Sequence, residues 1–194
     1  MLGGPMKLSD LLSDELDQIL SMLDILEVMH DRLSRGEDIN LNDLKRIIQF
    51  FKIFANRTHN KKEEKFLFPQ LQRFSEQSHA IIDKLKSENS LAELYLRSLR
   101  SNLKKVQAGC PHAKNKLITL IKKYLVLEKT HLQNEQIFVI PLCNQEIPKE
   151  KQDQLLTEFN TYDEHLYGHG MQQKFYKSFR QKIDNLKKHY YTDN

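Results

Sequence analysis

The stretch that decides the fold of this chain is residues 59–69, with the sequence HNKKEEKFLFP, and it has a counterpart at residues 131–141, HLQNEQIFVIP. In both copies a histidine is followed four residues later by a glutamate, then by a phenylalanine and a proline at the same distances. These four matches share one offset of 72 residues, so we expect the chain to contain two equivalent halves.

The sequence around these segments predicts helices. Glycine and proline together number only eleven, and leucine, lysine and glutamate, all good helix formers, are abundant. Apolar residues recur in alternating steps of three and four, which keeps them on one helix face. No strand pattern of any length is present. The predicted helices run from about 9 to 33, from Asn42 to a kink or end at Pro69, from about 78 to 106, from about 112 to Pro141, and then from Pro148 and from Met171 onward.

These helices predict an all-α fold in a single domain, residues 1–194. Four long helices joined by short connections are typical of an up-down-up-down antiparallel four-helix bundle. We expect this core bundle to span about residues 8–143. The additional C-terminal helices, about residues 148–190, should pack on it.

Composition and charge exclude several classes of function. The formal net charge of +4 is small and scattered, so no nucleic-acid partner is indicated. The sequence contains neither the 18 or so consecutive apolar residues of a membrane span nor the charged start and apolar run of a signal peptide. The cysteines Cys110 and Cys143 form no disulfide framework and fit no zinc motif. We therefore expect a soluble, cytoplasmic protein that does not bind membranes.

The two His-x-x-x-Glu pairs predict a metal site. An i, i+4 spacing places imidazole and carboxylate on one helix face, about 6 Å apart along the axis. The second and fourth helices of the predicted bundle run parallel on a diagonal, so both pairs should enter the core at similar height. Such nitrogen and oxygen ligands suit iron, manganese or zinc. Burying two carboxylates without a cation would be costly, so either a metal or protonation with hydrogen bonding must compensate them.

Both segments resemble the helix signatures of the hemerythrin-like, or HHE cation-binding, family. The segment from His59 to Pro69 is similar to the family's second-helix signature, and the segment from His131 to Pro141 to its fourth-helix partner. The order of the predicted helices resembles that of the family over about residues 8–185. It implies a non-haem di-iron site in which each of these histidines binds one iron and the glutamates bridge. The family's activities include reversible oxygen binding, oxygen or redox sensing, iron handling and repair after nitrosative stress.

The sequence departs from the family pattern at two positions. The resemblance implies a further histidine on the first helix, about 43 residues before His59, and another on the third, 42 residues before His131; these positions are Leu16 and Asn89, and their mutual offset of 73 agrees with the repeat. Both positions fall in the predicted core, and neither is a histidine. Glu93, one turn beyond Asn89, could add a carboxylate to the depleted site. The predicted metal ligands are His59, Glu63, His131, Glu135 and Glu93, and no catalytic or organic-cofactor residue is predicted.

Two functions remain open at this stage. In the first, the protein binds iron, as a di-iron or mononuclear site, or else manganese or zinc, and serves oxygen, redox or iron sensing or handling, with dioxygen or another small diatomic as a further ligand. In the second, it is a metal-free interaction or regulatory module with a protein partner, which kept the bundle and lost the site. Nucleophile triads, phosphate-binding glycine loops and kinase signatures are absent, so nothing specific indicates an enzyme.

Overall fold

A computed structural model describes residues 7–191, and within this range the chain forms six helices and no strand. This confirms the all-α prediction. Two of the helices, α2 and α4, are continuous runs of α-helical and π-helical segments. The helices are α1 (Leu8–Ser34), α2 (41–74, from Leu41–Phe50, Phe51–Asn60, Glu63–Leu67 and Phe68–Phe74), α3 (Ser78–Gln107), α4 (113–146, from Ala113–Asn134, Glu135–Val139 and Ile140–Glu146), α5 (Lys149–Tyr167) and α6 (Gln172–Tyr191).

The first four helices form the predicted antiparallel bundle. Helix α1 packs against α2 and α4, and α3 packs against the same two helices, so α2 and α4 lie on a diagonal. Helices α5 and α6 pack against each other and against α1, and α5 also contacts the second half of α2. Of the six described helices, none has the length and apolarity needed to cross a membrane.

The buried apolar side chains form two clusters, one toward each end of the bundle. The larger cluster contains a group of aromatic rings and most of α1. The smaller one is built from the start of α1, the end of α2, and parts of α3, α4 and α5. Along α2, the larger cluster ends at Ala55 and the smaller begins at Leu67. Residues 56–66, which include the first His-x-x-x-Glu pair, therefore lie between two apolar regions.

Both helices that carry these pairs continue past their prolines, to Phe74 and to Glu146, so the predicted helix end near Pro141 is wrong. A π-helical turn precedes each proline, and its bonds run from the Phe68 N–H to the Glu63 carbonyl and from the Ile140 N–H to the Glu135 carbonyl. Proline lacks an N–H and its ring clashes with the carbonyl four residues earlier, so a wider turn allows the helix to continue. The internal repeat thus includes the backbone, with a π-turn beginning at each glutamate.

The N-cap of α2 is Asn40, two residues before the predicted Asn42. Its side-chain oxygen accepts hydrogen bonds from the backbone N–H groups of Asn42 (2.9 Å) and Asp43 (3.4 Å). The Asp43 N–H also donates to the Asn40 carbonyl at 3.0 Å, whereas the Asn42 N–H depends on the side chain. Asn40→Ala should therefore lower the free energy of unfolding by about 1 kcal/mol, measured by urea denaturation. The exposed Asn42→Ala is the control and should change it by less than about 0.5 kcal/mol. Equal effects of the two substitutions would contradict the assignment of the cap.

Candidate metal centre

A group of buried polar side chains lies in the middle of the bundle. His59 and Glu63 enter it from α2, and His131 and Glu135 enter it from α4; each is at most 2 % exposed. The structure therefore brings both His-x-x-x-Glu pairs together in the core, as their repeat spacing predicted.

Glu135 lies between the two imidazoles. Its Oε2 is 3.2 Å from His59 Nε2, and its Oε1 is 2.7 Å from His131 Nε2. Glu63 Oε2 is 3.7 Å from His59 Nε2. One ligand atom from each of His59, Glu63 and Glu135 lies within 4.8 Å of the others, a spacing that one cation could bridge.

Three atoms of this group have no hydrogen-bond partner among residues 7–191: Glu63 Oε2, His131 Nε2 and Glu135 Oε1. The last two lie close together, but without the alignment of a hydrogen bond. Leaving a buried polar atom unpaired costs about 1–3 kcal/mol, so such atoms point to a ligand such as an ion. Two imidazole nitrogens and two carboxylates are a donor set that suits iron, manganese or zinc. The residues present therefore fit a metal.

Two further glutamates orient the histidines. His59 Nδ1 lies 2.9 Å from Glu15 Oε2, and His131 Nδ1 lies 3.0 Å from Glu88 Oε2. A carboxylate only accepts hydrogen bonds, so each imidazole donates through Nδ1 and presents Nε2 to Glu135. Metal-binding histidines are commonly held in this way by a carboxylate on the far nitrogen.

The sequence analysis missed Glu15 and Glu88, each of which directly precedes a position singled out for a missing ligand. A signal was present, since Glu15 lies three residues after Leu12 and four before Ile19, a spacing that places it on the core face of α1. The two glutamates are also 73 residues apart, close to the offset of the repeat.

The two substituted positions have structural roles. Leu16 is buried in the larger apolar cluster. The Asn89 side chain accepts a hydrogen bond from Asn60 Nδ2 (2.8 Å) and donates one to Glu64 Oε1 (3.0 Å), so it connects α3 to α2. Neither side chain takes part in the central group.

The structure does not bring Glu93 to the centre, and the carboxylate expected there is a wrong prediction. Its side chain is 49 % exposed and lies 3.6 Å from Arg97. Glu93 does share a helix face with Asn89, as predicted, but that face borders a polar cleft of about 320 Å³ between α2 and α3 instead of the bundle axis.

Electrostatics show how these groups share protons in the absence of a metal. Burial, together with the charge of Glu135, raises the pKa of Glu63 well above its ordinary value. Burial would also raise the pKa of Glu135, but His131 and His59 outweigh it and lower that pKa. For both histidines burial would lower the pKa, and the surrounding carboxylates raise it well above the ordinary value. Protons thus compensate the buried carboxylates, and a bound cation would displace them.

A second buried network adjoins His59 and was not predicted. The Lys62 side chain is fully buried, and its Nζ donates to Glu15 Oε1 (2.5 Å), Asp163 Oδ2 (3.2 Å) and Tyr176 Oη (2.9 Å). Tyr176 Oη also lies 2.6 Å from Glu15 Oε1 and 2.9 Å from Asp163 Oδ2. Burial alone would raise the pKa of Glu15, but Lys62 and His59 lower it to about 2. The network joins α1, α2, α5 and α6 and ends at an imidazole of the centre.

Comparison with known proteins agrees with this geometry. The family model for the hemerythrin HHE cation-binding domain matches residues 8–143, well over half of the chain. No curated protein and no solved structure matches the chain. Helices α5 and α6 lie beyond the matched residues. The chain belongs to the hemerythrin HHE cation-binding family, and the buried group of His59, Glu63 and Glu135 could bind its metal.

Proposed function

We propose that this protein binds non-haem iron, or another divalent metal, through His59, Glu63, His131 and Glu135, and uses it for oxygen, redox or iron sensing or handling. The observation that carries the proposal is the convergence of two imidazole nitrogens and two carboxylates, with Glu63 Oε2 left without a hydrogen-bond partner, in the core of a cation-binding domain.

Each residue has a distinct part in holding the metal. His59 and His131 would supply one nitrogen each, on opposite sides of Glu135. Glu135, which lies between the two imidazoles, would supply carboxylate oxygens, and Glu63 would add an oxygen on the His59 side. Bound iron would supply reversible redox chemistry and affinity for a small diatomic such as dioxygen. The surrounding protein keeps bulk water away, since all four residues are at most 2 % exposed.

The ligand set has consequences for which metal is bound. The family resemblance implies two irons, but with Leu16 and Asn89 in place of histidines each ion has one imidazole and otherwise carboxylate oxygens. Oxygen-rich sites favour harder cations, so manganese and mononuclear iron are the alternatives to a di-iron site.

The test is metal content after anaerobic purification with ferrous iron, measured by elemental analysis together with the absorption spectrum. The wild-type protein should retain iron. His59→Ala and His131→Ala should each weaken binding by more than the 10–100-fold typical of losing an outer-shell partner. His79→Ala is the matched control, because His79 is an exposed histidine whose ring bonds the Gln72 carbonyl at 3.0 Å, far from the central group in its contacts. If the wild-type protein contains no metal after purification with ferrous iron, the proposal is wrong.

The second candidate is a metal-free interaction or regulatory module. The observation that favours it is that Leu16 and Asn89 stand where the family pattern places ligands, and both are used for packing or for hydrogen bonds between helices. In that case, His59→Gln combined with Glu63→Gln should leave the free energy of unfolding unchanged or raised, because no bound metal is lost and each glutamine keeps a hydrogen-bonding side chain at its position. A fall in melting temperature when a chelator is added to purified wild-type protein would contradict this candidate.

A further inference from the structure

The two halves of the centre are related by the internal repeat but differ in their surroundings. On the His131 side, the orienting Glu88 is 13 % exposed, and its ion-pair partner besides His131 is Lys84, at 3.7 Å on the surface. On the His59 side, the orienting Glu15 is fully buried. Glu15 is also held by groups that reach it from two other helices, α2 and α6.

We propose that α5 and α6 complete the metal centre, with Asp163 and Tyr176 acting through Lys62 and Glu15 as positioning residues that make the His59 half the tighter of two unequal cation sites. This inference rests on the metal binding proposed above. It assigns a role to helices that lie outside the matched domain.

The first step of the argument concerns the two oxygens of Glu15. Oε2 holds the Nδ1 of His59, while Oε1 receives both Lys62 Nζ and Tyr176 Oη. Every contact to Oε1 therefore fixes the carboxylate that aims His59 Nε2 at Glu135. Tyr176 on α6 is therefore connected to the proposed ligand His59 through two successive hydrogen bonds, with Glu15 between them.

The second step concerns charge. Lys62 is a buried cation between two carboxylates, Glu15 and Asp163. The ammonium lies 2.5 Å from Glu15 Oε1 and 3.2 Å from Asp163 Oδ2, so Asp163 shares its charge and Glu15 keeps its capacity to accept from His59. Tyr176 contacts all three of these groups and fixes their relative positions. Loss of outer-shell partners of this kind typically weakens metal binding 10–100-fold.

The third step is the absence of such a network on the other side. Among residues 7–191, the ion-pair partners of Glu88 are His131 and Lys84, and neither belongs to α5 or α6. Water can reach the partly exposed Glu88 and compete for its hydrogen bond to His131. The His131 half should therefore bind its cation more weakly and exchange it faster.

The experiment is an anaerobic titration of the full chain with Fe²⁺, in competition with a chelator of known affinity, which resolves stepwise binding. The wild-type protein should show two steps at least about 10-fold apart. Tyr176→Phe and Asp163→Asn should each weaken the tighter step about 10–100-fold and leave the weaker step unchanged. Glu88→Gln should weaken the weaker step and leave the tighter step unchanged. If the protein binds a single ion, an affinity that is lowered by Tyr176→Phe but not by Glu88→Gln would also support the proposal.

The matched control is Tyr162→Phe, which removes a hydroxyl from α5 that donates to the Arg57 carbonyl at 3.1 Å and makes no contact with Glu15. Circular dichroism and melting temperatures of the metal-free variants separate loss of affinity from loss of fold. If the wild-type protein binds iron in two equal steps, or if Tyr176→Phe and Asp163→Asn bind as Tyr162→Phe does, the inference is overturned and metal binding stands. If the wild-type protein binds no iron, the proposed function itself fails.

Discussion

Replacing Lys62 by methionine should lower the free energy of unfolding of the metal-free protein by about 3–5 kcal/mol. Lys62 is the buried cation between Glu15 and Asp163, so the substitution leaves two buried carboxylates without their common partner. The cost comes from those uncompensated charges, since methionine fills a similar volume. Urea denaturation of chelator-treated wild-type and variant protein, followed by circular dichroism, measures the difference.

Lys61→Met is the matched control for this prediction. Lys61 is the adjacent residue, but its side chain is 49 % exposed and pairs with Glu64 at 2.5 Å. Exposed pairs contribute about 0–1 kcal/mol, so the control should be nearly neutral. Adding Glu15→Gln and Asp163→Asn to the Lys62 variant should recover part of the lost stability. Equal effects of the Lys61 and Lys62 substitutions would show that the buried network contributes little.

The Lys62→Met substitution should also change how the stability of the protein depends on pH in acid. The pKa of Glu15 is about 2 in the folded protein against an ordinary value of 4.5, so its contribution to stability is fully present above pH 4.5 and is lost as the pH falls toward 2. Although burial opposes this shift, the Lys62 ammonium is the largest cause that lowers the pKa. Lys62→Met should therefore flatten the dependence of stability on pH between 4.5 and 2, measured by urea denaturation across that range.

Glu128→Gln should stabilise the metal-free protein at pH 8 by on the order of 3 kcal/mol. Glu128 is 4 % exposed on α4, and burial raises its pKa to about 7; Glu135 adds to the increase and His131 opposes it. Between pH 4.5 and 7 the unfolded chain ionises this carboxyl while the folded protein keeps it protonated. The Glu128 carboxyl therefore contributes stability that is fully present below pH 4.5 and is lost as the pH rises to 7, at about 1.4 kcal/mol per pKa unit.

Glutamine keeps the neutral form at every pH, so the gain should be large at pH 8 and small at pH 5. The comparison uses metal-free protein, because a bound cation would itself lower the pKa of Glu128. Glu146→Gln, an exposed substitution near the end of the same helix, is the control and should be nearly neutral at both values. The prediction is wrong if the Glu128 variant and this control unfold at the same urea concentration at pH 8.

The fold was predictable because the signals that define it are local and repeated. The apolar periodicity predicted helices over about 9–33 and 78–106, and the structure has Leu8–Ser34 and Ser78–Gln107. The 72-residue offset also predicted that the two His-x-x-x-Glu pairs enter one core. Pro141 was misleading because a π-turn relieves the clash of a proline within a helix, and apolar periodicity does not distinguish that turn from a helix end.

The sequence by itself determined the all-helical bundle and the pairs His59–Glu63 and His131–Glu135, since residues four apart share a helix face whatever lies opposite. Only the tertiary structure decided that Glu15 reaches His59 while its neighbour Leu16 packs in the core, because the rotation of α1 is set by the helices around it. It likewise placed Glu93 on the surface. Lys62 is buried because α5 and α6, about a hundred residues later in the chain, supply Asp163 and Tyr176 to its ammonium. Periodicity within one helix cannot reveal a partner that distant.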